Sequence, residues 1–171
     1  AVALAAAITT AAACEPAHRS SPTPAAPSAP TASTSAAGAN RCSATGVTKR
    51  TVRYAATPGV AANLQSLDLY RPTLPAGCPR TPIVVYVHGG GWRRGDKAQQ
   101  VARKIDLFAR QQGWLFVSVN YRLSPDPLDL TSRTAVRAPP HARDVAAAIG
   151  WVTRNARANG ADPTRVAIAG H

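Results

Sequence analysis

Ile83 to Val87 form an unbroken apolar run, introduced by Pro82, that leads straight into His88, Gly89, Gly90, Gly91 and Trp92. No other stretch restricts the possible folds as much. The run is too short for a helix and rich in β-branched residues, so it predicts a strand covered on both faces, as in a parallel sheet. Three consecutive glycines at the strand's carboxyl end remove every Cβ from that backbone, which can then take positive φ and turn its N–H groups outward. The carboxyl edge of an open α/β sheet is where ligands bind. N–H donors held there can stabilise an oxyanion, because they need little reorganisation as charge develops.

Two other readings of the glycines compete: a plain tight turn and a phosphate cradle. Spacing removes the second. Gly90 and Gly95 satisfy GxxxxG, but Asp96 stands where a phosphate loop needs Lys, and Arg94 stands where GxGxxG from Gly89 needs glycine. The turn reading stays open beside the oxyanion role, which HGGG-type loops serve in esterases.

Residues 1–14 are apolar and small up to Cys14, too short to span a bilayer and similar to the core of an export signal. The expected location is therefore outside the cytoplasm of a bacterium, secreted or at the envelope. Ala11-Ala12-Ala13-Cys14 resembles a lipoprotein cleavage box. Two readings stand: a lipidated Cys14 that anchors the protein to a membrane, or an ordinary secretory signal with an incidental cysteine. Residues 15–44 are Ser, Thr, Pro and Ala with little to bury, which predicts a disordered tether. Of three cysteines in an exported chain, lipidation of Cys14 leaves Cys42 and Cys78 to pair; two free thiols are the alternative.

The formal charge is +12, from 20 basic and 8 acidic residues. The basic residues are spread along the chain, with Lys49-Arg50 and Arg93-Arg94 the densest groups, so the pattern argues against a nucleic-acid partner.

The folded domain is expected over residues 45–171. Thr51–Ala55 and Gln65–Arg71 read as a leading antiparallel hairpin around the turn residues Pro58, Gly59 and Asn63. Lys97–Gln112 has one apolar face at helical spacing, with Asp96 and Gln99 as a capping pair and Gly113 at its end. Trp114–Val119 reads as a second buried strand, which makes a βαβ unit. Ser124–Pro140 reads as a loop over the same sheet edge. A second helix carries Val145, Ala148, Ile149 and Val152 on one face and ends at Gly160. Asp162-Pro163 reads as a turn, and Val166–Ala169 as a third buried strand.

HGGGW at 88–92, VNYRLSP at 119–125, HARDVAAAIGW at 141–151 and GADPTRVAIAGH at 160–171 together resemble the α/β-hydrolase esterases. The resemblance covers residues 65–171 and points to the exported carboxylesterase and kynurenine-formamidase-like branch. It implies an α/β fold: the N-terminal half of an α/β-hydrolase, a mostly parallel sheet with a leading hairpin and flanking helices. It implies a serine hydrolase acting on a small-molecule carboxylic ester through an acyl-enzyme, without metal or organic cofactor. Gly90 and Gly91 match the oxyanion donors, Gly89 the turn, and His88 the histidine that braces this loop rather than the catalytic base. Trp92 is expected beside the loop, against substrate or as ordinary packing.

Gly170 and His171 match the first two positions of a GxSxG elbow, so the nucleophile is expected directly after His171. The chain of 171 residues is accordingly expected to be inactive and marginally folded by itself. Two alternatives remain: an arylformamidase-type amide hydrolase with the same machinery, and a non-catalytic surface protein that uses the fold for binding. His141 and Asp144 share a helix face but make no zinc site, and structural roles are expected for them. Asp68, Asp96, Asp126 and Asp129 precede the nucleophile and lack the order of a triad acid, and His18 falls in the tether.

Overall fold

A computed structural model describes residues 42–124, 131 and 136–171. The export segment with Cys14, almost all of the tether and most of the 125–135 loop lie outside the described residues.

Five strands form one sheet in the order β1-β2-β4-β3-β5: β1 (Gly46–Arg53), β2 (Ser66–Thr73), β3 (Thr81–Val87), β4 (Leu115–Val119) and β5 (Ala161–Gly170). β1 and β2 are the expected antiparallel hairpin. Its first strand begins at Gly46 rather than Thr51, since Val47 finds Pro72 opposite it. β2 also runs antiparallel to β4, whereas β4, β3 and β5 are mutually parallel.

The glycine-bearing strand lies between β4 and β5, which explains its unbroken apolar composition. Ile83 and Val85 face one hydrophobic cluster with Leu67, Leu115, Val117 and Val119. Val84 and Tyr86 face another with Tyr70 and Phe116. Pro82 belongs to β3 and falls where the pairing with β5 shifts register between Thr81 and Ile83. A residue without an N–H is tolerated at such an irregularity. The same shift accounts for Asp162-Pro163: the expected turn is a bulge within β5, with Asp162 Oδ1 accepting from the Thr164 amide at 2.9 Å.

The helix after β3 starts later than its periodicity predicts. Residues 97–100 are turns, α1 spans Ala102–Lys104, and Ile105–Gln111 continues it as a π-helix. Asp96 does not cap that helix with Gln99. It closes the preceding turn, accepting from the Ala98 amide at 2.8 Å, and takes a further bond from Asn120 Nδ2 at 2.8 Å. A side chain held by β4's extension cannot also sit at a helix start five residues away. Gly113, at φ +64°, stands just past the end as expected.

α2 (Pro140–Asn155) packs on the opposite face through Ala148 and Val152, while Val145 and Ile149 are only half-buried. Val166–Ala169 departs furthest from expectation. Ala167 to Ala169 are exposed, Ile168 to 59%, because β5 is the sheet's edge strand among the described residues. Helices therefore cover both faces of β3, and the chain crosses from one face to the other between β4 and β5. The crevice between the carboxyl ends of β3 and β5 is a topological switch point.

Candidate active site

The crevice is where the glycine loop lies. Val87 pairs with Gly170, so His88 and Gly89 leave β3 directly beside His171. The approach is close: a Cβ on Gly89 would stand 2.6 Å from His171 Nε2. Gly90 and Gly91 have φ of +115° and +59°, and Gly90 passes so near Arg94 O that no side chain fits. Gly90 is needed on both steric and conformational grounds, and Gly91 on conformational grounds alone, since a Cβ there would meet no atom within 4 Å.

The orientation of the loop follows from where its carbonyls go. Tyr121 Oη donates to His88 O at 2.8 Å. His88 Nδ1 donates to Gly89 O at 2.8 Å, since a carbonyl oxygen can only accept. Gly90 O accepts from the amides of Arg93 at 3.1 Å and Arg94 at 3.2 Å. Three consecutive carbonyls are thus tied down on the protein side. In a trans peptide the N–H points opposite to its C=O, so the amides of Gly89, Gly90 and Gly91 are turned the other way. Those of Gly90 and Gly91 meet no protein acceptor among the described residues. This is the arrangement an oxyanion site requires: fixed donors with no internal partner.

His88 is 5% exposed and stacks on Tyr121 with ring centroids 4.5 Å apart. Its Nδ1 is used within the loop, while Nε2 is buried and without a hydrogen-bond partner among the described residues. Gly95, at φ +113°, lies against the same ring, where a Cβ would collide with Nδ1.

Trp92 adopts φ +64°, unusual for a side chain of this size, and is 49% exposed. Its indole meets Tyr121 edge-on at 5.2 Å and His141 at 5.5 Å. It stands between two clefts that open at Gly91. One, of about 770 Å³, lies between the loop, the α2 residues Val145 and Ile149, and the exposed end of β5. The other, of about 440 Å³, runs past Ser124, Arg137 and Pro139.

His141 and Asp144 are tied into the support beneath. Asp144 accepts from Arg122 Nε and Nη2, both at 2.7 Å, from the Arg122 amide at 3.0 Å and from Gln65 Nε2 at 3.0 Å. Burial raises the pKa of this carboxyl, but the bonds and charge of Arg122, with Gln65, outweigh it and hold the group below its ordinary range. Ser124 Oγ donates to Val136 O at 2.6 Å, so the contact of 3.0 Å with His141 Nε2 has the imidazole as donor. Burial lowers the His141 pKa, which keeps the ring neutral. Ser124 has no proton left for a base to take, so this pair is a latch, not a nucleophile with its base.

Cys42 and Cys78 form a disulfide with Cα atoms 5.7 Å apart, remote from the glycine loop. No group of three or more His, Cys, Asp or Glu side chains among the described residues could hold a metal. Tyr121, Arg122 and Ser124 are site residues that sequence reasoning did not single out. Their only signal was membership of VNYRLSP, where nothing local indicates that Tyr121 reaches across to His88.

Residues 67–171 match the BD-FAE family model. Among curated proteins, the chain is 34% identical over 128 residues to esterase LipC of Mycobacterium tuberculosis, covering 72% of this chain and 27% of LipC. It is 35% identical over 127 residues to carboxylesterase NlhH of the same organism, covering 72% of this chain and 34% of NlhH. The chain thus spans about a third or less of these relatives' length. Among solved structures, esterase B of Lactobacillus rhamnosis superposes with a TM-score of 0.56 at 26% identity, over 75% of this chain and 36% of that one. Esterase LipW of Mycobacterium marinum gives 0.54 at 28% identity, over 72% of this chain and 34% of LipW.

Proposed function

The chain belongs to the BD-FAE family and has the α/β-hydrolase fold of the carboxylesterases it resembles, and from that premise we propose that the full-length protein is a serine carboxylic ester hydrolase. The observation that carries the reading is the loop itself: three successive carbonyls tied back, and the Gly90 and Gly91 amides without an internal acceptor among the described residues in a loop that lines the crevice with His171.

In this mechanism a serine directly after His171 attacks the ester carbonyl. The carbonyl oxygen becomes an oxyanion held by the amides of Gly90 and Gly91, and a third donor comes from the residue after the serine. A histidine further along takes the serine proton and passes it to the leaving alcohol, and water then cleaves the acyl-enzyme. His88 braces the loop rather than transferring protons: its Nδ1 is bonded to Gly89 O, and its Nε2 is buried without a partner among the described residues. Trp92 walls the acyl or alcohol side of the crevice. The names of the relatives favour an ester over a formamide substrate. Export, with lipid on Cys14 as anchor, belongs to the same proposal and rests on the signal-like first 14 residues.

The test is labelling of the full-length protein by a fluorophosphonate probe, with peptide mass locating the adduct. The expected adduct is on the residue after His171. A folded protein that takes no label would end the serine-hydrolase reading and leave the binding-protein alternative.

A further inference from the structure

We propose that Tyr121 is a positioning residue of the oxyanion site, acting through the main-chain carbonyl of His88 to set the direction of the glycine amides. The proposal rests on the ester-hydrolase reading above. Tyr121 lies just beyond β4, yet its side chain reaches the end of β3 and is 1% exposed. Burying a phenol carries a cost that phenylalanine would not, because the hydroxyl must leave water. Here the hydroxyl has one short bond, from Oη to His88 O at 2.8 Å.

That bond reaches the first of the three tethered carbonyls. The second tether, His88 Nδ1 to Gly89 O, depends on where the imidazole lies, and the imidazole lies on the Tyr121 ring with the planes 17° apart. Tyr121 therefore governs the His88–Gly89 peptide through its hydroxyl and the Gly89–Gly90 peptide through its ring. The Gly90–Gly91 peptide is held separately by the Arg93 and Arg94 amides. Tyr121 is itself anchored: the next residue, Arg122, is clamped through amide and guanidinium to Asp144 on α2. Burial, reinforced by Tyr86, raises the Tyr121 pKa, so it remains a donor at neutral pH.

Removing only the hydroxyl keeps the stack and frees the His88–Gly89 peptide to rotate, and because the Gly89–Gly90 peptide is joined to it through Gly89, the Gly90 donor amide loses its fixed direction with it. The oxyanion exists in the transition state and not in the bound ester, so the loss should fall on kcat and not on KM. In the full-length protein, Tyr121→Phe is expected to lower kcat on a short p-nitrophenyl ester by about tenfold to a hundredfold, with KM essentially unchanged. Replacement by 4-aminophenylalanine, which restores a donor, should recover part of the loss. An unchanged kcat, a loss confined to KM, or no recovery would each overturn the proposal.

A wild-type protein that turns over no ester would sink the reaction and not this contact, so the contact is also read without turnover. In NMR spectra, Tyr121→Phe should shift the His88 carbonyl 13C and the Gly89 amide 15N signals. Unmoved signals overturn the proposal whatever the activity. Should the Phe variant fail to fold, Tyr121→3,5-difluorotyrosine keeps the shape with a more acidic phenol. The same two signals should then titrate as the donor becomes an anion, and signals flat with pH overturn it.

Discussion

At the scale of single residues, glycines that look alike in the sequence differ in what they permit. Gly59 and Gly90 both have positive φ, but Gly59 has open space around it and Gly90 has Arg94 O against it. Gly59→Ala should cost about 1 kcal/mol, the price of the backbone conformation alone. Gly90→Ala and Gly95→Ala must in addition displace Arg94 or His88. Both are expected to reduce ester turnover in the full-length protein by on the order of a hundredfold, whereas Gly59→Ala leaves it intact. Initial rates and melting curves on the three variants check this. Asp144 makes a second case. Its folded pKa lies below the unfolded value of 3.8, so its contribution to stability is complete above that value and is lost as pH falls through the folded one. Asp144→Asn leaves Arg122 unpaired and should cost about 3–5 kcal/mol near neutrality. It should also flatten the acid limb of a stability-against-pH curve. An acid limb as steep as that of the wild type would refute the assignment.

At the scale of elements, strands and helices were legible where a short apolar run or a helical face decided them, and misplaced where a side chain had a distant partner. β3 and β4 were readable because both faces of each are buried, which demands continuous apolar residues. The late start of α1 was not readable. Asp96 looks like a cap, but Asn63 Nδ2 at 3.1 Å and Asn120 Nδ2 at 2.8 Å come from elsewhere in the fold to claim it. β5 had the composition of a buried strand and an edge strand's exposure. In the 171-residue chain, Val117→Ala, at a fully buried position, should cost about 2–3 kcal/mol. Ile168→Ala, 59% exposed, should fall within about 0.5 kcal/mol of wild type. Urea denaturation of the two variants distinguishes them, and equal losses would mean that Ile168 is covered in solution.

At the scale of the whole molecule, the disulfide joins the start of β1 to the segment before β3 across 36 residues. Closing a loop of that length removes unfolded-state entropy equivalent to about 4 kcal/mol. Reduction, or Cys42→Ser with Cys78→Ser, should lower stability by about 2–4 kcal/mol and leave the glycine loop's geometry unchanged, since the bridge lies away from the site. Denaturant melts with and without reductant measure the first, and the Gly89 to Gly91 amide signals the second.

What the sequence determined by itself was local: a buried strand ending in residues without side chains, the two helical faces around it, and a hairpin before it. Each follows from periodicity and the steric freedom of glycine, which need only neighbours along the chain. Tertiary structure alone decided which way the glycine amides face. That direction is imposed through three carbonyls, and the first is held by Tyr121, separated from His88 along the chain by α1 and β4. A peptide plane is steered by whatever binds its oxygen, and here that partner comes from the segment just after another strand.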